Sequence, residues 1–325
     1  MTADKLTNMA NEQIGVGAKQ PSVRPNRKPV KHLGPFGRFV LATVALALCF
    51  SVPLCDLVWF AIKSQLYSHI ILIPFISLYL VWLRRQSLPP HSEPDRRLAV
   101  LPAVAGVVAI VGYWLASRST VELTIEDYLA WTTFSFFLFF VAVCSLFLGK
   151  ETLRAVAFPI CFVIFVIPFP TFLLDWIDTF LQHGSAIAAD GLFRLSGTPV
   201  FRQGLAFQLP GFSLQVAPEC SGIHSSLVLF ITSLLAGYLF LHSPWKRAVL
   251  AVAVIPLGIL RNGFRVFTIG QLCVHIGPEM IHSPIHRRGG PLFFALSLVP
   301  FFLLLIVLCK SDRVRDKIKP KQLGV

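Results

Sequence analysis

Leu292-Phe293-Phe294-Ala295-Leu296-Ser297-Leu298-Val299-Pro300-Phe301-Phe302-Leu303-Leu304-Leu305-Ile306-Val307-Leu308-Cys309 carries no charged residue and ends against Lys310. A bilayer core about 30 Å thick takes roughly 20 apolar residues of helix, so this stretch reads as a membrane span. Further runs of the same kind precede it: Phe39 to Ile62, Ser68 to Leu83, Leu98 to Ala116, Tyr128 to Leu148, Val156 to Leu174, Ile223 to Leu241 and Ala248 to Thr268. Composition agrees, with 55% hydrophobic and only 14% charged residues over 325 positions. The expected fold is an all-α polytopic membrane protein of about eight transmembrane helices.

Basic residues near the ends of spans are retained in the cytoplasm. The segment before Phe39, the connection with Arg84, Arg85, Arg96 and Arg97, the pairs Lys150/Arg154 and Lys246/Arg247, and the segment after Cys309 hold 21 of the 29 basic residues. This bias predicts two cytoplasmic termini and turns Asp175 to Gly222 and Ile269 to Pro291 outward. The formal charge of +13 then reflects topology and contact with anionic membrane lipids, not nucleic-acid binding.

Residues 1–36 are polar, basic and without apolar periodicity, which predicts a disordered cytoplasmic tail. Residues 37–309 form the expected membrane domain and 310–325 a second basic cytoplasmic tail. The first apolar run is too long for a signal-peptide core and reads as a retained anchor. The seven cysteines fall in no CxxC pair and at no metal-ligand spacing, so neither a disulfide framework nor a metal or cofactor site is expected.

The outward segment 175–222 divides in two. Asp175 to Leu195 has Trp176, Ile177, Phe180, Leu181, Ile187, Leu192 and Phe193 at helical spacing, which predicts an amphipathic helix lying at the interface. Thr198 to Ala217 places alternating apolar residues around Gly204 and Pro210-Gly211, which predicts a β-hairpin-like cap leading into Cys220.

Cys220 stands where that polar segment turns into an apolar run, in Ala217-Pro218-Glu219-Cys220-Ser221-Gly222-Ile223. Ser221 is a candidate N-cap, and a helix amino end lowers a thiol's pKa. A cysteine at such a place is otherwise a small apolar filler. Two later clusters reach the same side. Arg261 and Arg265 lie four apart on one helix face, where one can serve a lipid phosphate while the other turns inward. His282 and His286 sit in the loop before the last span, and an imidazole there can exchange a proton near neutral pH. A thiol, a fixed cation and an imidazole from three helix ends make a set for acyl transfer. Cys220 would attack a carbonyl, Arg265 would stabilise the oxyanion, and His282 or His286 would relay the proton.

Glu219-Cys220-Ser221-Gly222, the run Ser225 to Phe230, Asn262-Gly263-Phe264-Arg265, His286 with Gly289 and Gly290, and Tyr67-Ser68-His69 together resemble the exosortase/archaeosortase family over Phe39 to Cys309. The chain departs from many members in having Arg287-Arg288 after the histidine and Pro218 before Glu219. The resemblance implies a cysteine transpeptidase or endopeptidase of the prokaryotic cytoplasmic membrane, with catalytic Cys220, Arg265 and His286 on the extracytoplasmic face. It implies supporting or substrate-binding roles for Glu219, Ser221, Asn262, His69 and Tyr67. The implied substrates are exported proteins ending in a short motif such as Pro-Glu-Pro, one transmembrane helix and a basic tail. Water or an acceptor amine would take the acyl group.

Two other classes compete. A membrane acyltransferase acting on a lipid or saccharide would use the same cysteine and histidine chemistry. A multispan transporter would carry broken helices or an inverted repeat, and Pro159, Pro168 and Pro170 interrupt the fifth span.

Overall fold

The computed structural model describes residues 34–89, 96–119, 122–216, 221–282 and 289–318. Among these described residues, ten α-helices and three short strands follow one another in chain order. Helix α1 spans Pro35–Cys49, α2 Ser51–Lys63, α3 Ile73–Arg84, α4 Arg96–Ser117, α5 Ile125–Ala155, α6 Ala157–Phe162 and α7 Thr171–Leu195. Strands β1 (Phe201–Gln203), β2 (Ala206–Leu209) and β3 (Phe212–Gln215) precede α8 (Ile223–Phe240), α9 (Pro244–His275) and α10 (Gly290–Ile318). Six of the helical stretches are long and apolar enough to cross a membrane, and the count is eight if each of two bent pairs is one span. The membrane runs have no water to satisfy their peptide groups, so the helix, which bonds internally, is the form they take. Their outward faces stay apolar: Val100, Leu101, Val104, Val107 and Val108 of α4 are all exposed.

The bent pairs correct two expected spans. Phe39 to Ile62 is not one rod but α1 and α2, which meet at Phe50 with a 73° bend. Pro53 cannot donate to the carbonyl four residues back, so a helix starts afresh just before it. The run from Val156 breaks earlier than Leu174. A 3-10 turn at Val163–Val166 extends α6, Ile167-Pro168-Phe169-Pro170 interrupts it, and α7 leaves at 90°. The break is held from α5. Asp127 shares a capping box with Thr124 at the start of α5 and also accepts the Thr171 backbone N–H at 2.8 Å. One carboxylate thus ties the amino ends of α5 and α7 together. Helix α5 itself is interrupted at Gly149, and α10 continues past Cys309 to Ile318.

Helix α7 is amphipathic, and its partner is protein: it runs parallel to the second half of α9. Gly184 faces Ile259, Ser185 and Ala188 face Gly263, and Phe193 faces Gly270. A β-carbon on Gly263 would stand 2.6 Å from Cβ of Ala188, so glycine is what lets the two backbones approach. The cap on this end is a three-stranded antiparallel sheet in the order β1-β2-β3, one strand more than a hairpin. Registers Arg202↔Phe207 and Phe207↔Leu214 put Phe207, Leu209 and Leu214 on one face. That face packs with Phe193, Val216, Ala186, Ala189 and Val266, closing a core over α7 and α9. The Val216 N–H donates to the Leu205 carbonyl at 3.0 Å, so the sheet holds the chain in place as far as residue 216.

Candidate active site

Helix α8 begins with an unusual residue. The cap position falls on Gly222, one residue after the expected Ser221, and Gly222 has φ 74° and ψ 18°. A side chain in this left-handed region costs about 1–2 kcal/mol. Ser221 still contributes: its buried hydroxyl accepts the Ile223 N–H at 3.3 Å. The Gly222 carbonyl takes three donors, the Ser226 N–H at 3.0 Å, the Ser225 hydroxyl at 3.1 Å and Nη2 of Arg261 at 3.0 Å.

Arg261 is only 8% exposed, and the same Nη2 donates to Oγ of Ser226 at 3.1 Å. It therefore turns inward and holds the α8 amino end; it is not spread toward lipid phosphate. A cation beside a helix amino end works against the helix dipole, and these hydrogen bonds offset that cost. Asn262 is also buried and donates Nδ2–H to Oγ of Ser185 at 3.0 Å, joining α9 to α7. Its Oδ1 lies 3.3 Å from where a β-carbon on Gly222 would be. Arg261 and Asn262 together form the floor under Gly222, and Gly263 supplies the close seam behind them.

Arg265, one turn further along α9, lines a cavity of about 770 Å³. Its wall is shared by Lys63 at the end of α2, Gln65 and Ser68 in the following turn, Ser221, His224 and Ser225 of the α8 start, and Gly290 and Pro291 of α10. Lys63, His224 and Arg265 bring basic groups, and no carboxylate lines the wall among the described residues. With the amino end of α8 and the Arg261 guanidinium behind it, this cavity is a place where negative charge is stabilised.

Glu219, Cys220 and His286 lie outside the described residues. Ser221, the residue after Cys220, and Gly290, four positions beyond His286, both line the cavity. His282 closes a 3-10 turn at Pro278–His282. Of the Tyr67-Ser68-His69 element, Ser68 lines the wall. Tyr67 is packed among Leu57, Ala61, Ile70 and Leu129, and burial together with the charge of Glu126 pushes its phenol up to about 12. His69 lies just behind, with Nδ1 at 3.1 Å from the Leu66 carbonyl. His224 approaches that same carbonyl at 3.4 Å. His224 was not singled out from the sequence; the signal for it is a polar side chain in the first turn of an otherwise apolar helical run. Among the described residues, no three of His, Cys, Asp or Glu gather closely enough to hold a metal ion.

A family sequence model described as transmembrane exosortase matches residues 59–303, well over half of the chain. No curated protein and no solved structure matches it.

Proposed function

The chain belongs to the transmembrane exosortase family, and from that membership we propose that it is a cysteine transpeptidase or endopeptidase acting on the C-terminal sorting signals of exported proteins. The observation that carries the proposal is the basic cavity, which gathers Ser221, Arg265 and Gly290 from three separate stretches of the chain. Cys220 precedes Ser221, so the thiol belongs to a segment whose far end is pinned by Arg261 through Gly222. Positive potential from Arg261, Arg265 and the α8 amino end favours thiolate over thiol there.

In the proposed reaction, the Cys220 thiolate forms a bond to the scissile carbonyl carbon. Arg265 stabilises the oxyanion that results, and its guanidinium stays charged throughout. Collapse breaks the C–N bond, and the leaving amine takes a proton from the His286 imidazolium. The product is a thioester acyl-enzyme. Water or an acceptor amine then attacks, His286 takes the proton, and the thiolate departs. The substrate would carry a short Pro-Glu-Pro-like motif, a transmembrane helix and a basic tail. Such a helix stops with its tail in the cytoplasm and presents the motif outside. The cavity opens at the end of the bundle opposite Arg84, Lys246 and Arg247, which supports an outward-facing site in a prokaryotic cytoplasmic membrane with both termini inside.

The test follows a tagged substrate of this tripartite form by gel in cells with Cys220, Arg265 or His286 replaced singly by Ala. Cleavage should vanish in each. Cleavage that persists in the Cys220→Ala protein rejects the proposal.

A further inference from the structure

At the opposite end of the bundle two arginines from different helices converge on one tyrosine. Arg84, the last residue of α3, sits 4.9 Å from the centre of the Tyr238 ring, and Arg247, in the first turn of α9, sits 5.6 Å from it. Phe158 stacks on that ring at 3.9 Å with the planes 6° apart, so one face is taken. Both guanidinium groups are therefore crowded onto the remaining face and edge. Other ring-bound cations among the described residues stand one to a ring: Lys63 on Trp59, Arg85 on Trp82 and Arg118 on Trp114.

Two cations gathered on one ring repel unless something negative joins them. No carboxylate among the described residues pairs with either. The ion pairs among the described residues are Arg194 with Asp190 and Lys246 with Asp312. Arg247 spends Nε on the Leu241 carbonyl at 2.9 Å and keeps its remaining donors, while the Arg84 side chain makes no hydrogen bond among the described residues. The Tyr238 hydroxyl is enclosed and has no hydrogen-bond partner among the described residues. Surplus charge and an unmet donor thus lie side by side, at the end of the bundle where α3 and α8 finish and α9 begins.

We propose that Arg84, Arg247 and Tyr238 form a binding site for a phosphate group, supplied by an anionic phospholipid headgroup. The geometry suits it. Planar guanidinium groups match phosphate oxygens in pairs, and a basic site at the edge of a bundle meets headgroups rather than acyl chains. The site is separate from the proposed cysteine chemistry and does not depend on it.

The test measures the melting temperature of the purified full-length protein in detergent, titrated with phosphatidylglycerol, with phosphatidylcholine of the same chains, or with inorganic phosphate. Phosphatidylglycerol should raise it and phosphatidylcholine should not. Arg84→Gln should weaken the apparent phosphatidylglycerol affinity about fivefold, the effect of one basic residue near a charged surface. Arg84→Lys should fall between the two, and Arg118→Gln at the other end should match wild type. The Arg84 side chain makes no hydrogen bond to a described residue, so its replacement loses only the contact with the Tyr238 ring, and Arg84→Lys, which keeps the charge, separates that loss from the loss of the anion site. A full shift from inorganic phosphate alone would assign the anion site to a soluble phosphate and overturn the lipid assignment. Equal responses to both lipids, or an unchanged response in Arg84→Gln, would overturn the site itself.

Discussion

Arg261 crosses from α9 to donate to the Gly222 carbonyl at 3.0 Å, a contact between residues 39 positions apart in sequence. It is the strongest kind of link available there, a charge-assisted hydrogen bond in a buried setting. It fixes the amino end of α8 relative to Arg265, which sits one turn along the same helix. The start of α8 and the proposed oxyanion cation are thus set by adjacent turns of a single element, so small shifts of α9 move both together.

Replacing Arg261 separates its charge from its geometry. Arg261→Lys keeps the cation but cannot hold Gly222 and Ser226 in the same way, and cleavage should fall at least tenfold, in line with about 1.5–3 kcal/mol for such a bond. Arg261→Gln removes the cation as well. A thiol near a cation has a lowered pKa, so removing the cation raises it. In a background with only Cys220 retained, the pH midpoint of iodoacetamide alkylation should move upward in Arg261→Gln and stay near wild type in Arg261→Lys. An unchanged or lowered midpoint in Arg261→Gln would show that Arg261 does not hold the thiol's pKa down.

Gly222→Ala should separate stability from activity. A β-carbon at φ 74° costs about 1–2 kcal/mol and would meet Nη2 of Arg261 at 2.9 Å. The arginine must give way and release the carbonyl. The protein should still insert, with a modest fall in melting temperature, while cleavage of the tagged substrate drops well below one tenth. Full activity would mean that the α8 amino end tolerates displacement.

At Gly263 the neighbours are a methyl group and backbone, so neither can swing aside. The β-carbon of Gly263→Ala would lie 2.6 Å from Cβ of Ala188 and 3.0 Å from the Ser185 carbonyl oxygen. Helices α7 and α9 must part, at a cost of about 1–3 kcal/mol, and the Asn262 bond to Ser185 lengthens with them. A melting temperature lowered by the single change and partly restored by adding Ala188→Gly would confirm the seam. If the second change restores nothing, the close approach is not what glycine provides.

What was legible in the chain follows from what hydropathy and turn chemistry record. Leu148 was read as the end of a span, and the backbone breaks at Gly149. Gly204 and Pro210-Gly211 marked both turns of the cap, and the alternating residues around them were read as a hairpin where the structure has three strands. The bend at Phe50 was missed for a different reason, and in the fifth span Pro168 and Pro170 were read as interruptions without the turn they impose. A window of apolar residues measures affinity for lipid and carries no direction, so two half-length helices at 73° look like one span. Within the site, one of Arg261 and Arg265 was read as a lipid contact, because an arginine in an apolar run ordinarily snorkels, and which of them turns inward was left open. Its bond to Gly222 joins distant segments and leaves no local pattern.

His224 sharpens the assignment of the proton relay. It lines the same cavity as Ser221 and Arg265 and is exposed on the first turn of α8, so a second imidazole is within the chamber. Its Nδ1 faces the Leu66 carbonyl at 3.4 Å, which favours a proton on Nδ1 and leaves Nε2 as an acceptor. Either His224 or His286 could then serve as base on chemical grounds. The two roles differ in what glutamine can replace. At a positioning residue, His224→Gln keeps a donor and should retain cleavage to within a few-fold, with an unchanged pH profile. At the relay, His286→Gln removes the only group that exchanges the proton and should cost about 10²–10⁴ in rate. If instead His224→Gln is the inactive protein and His286→Gln cleaves normally, the relay sits on α8 and the assignment of His286 is wrong.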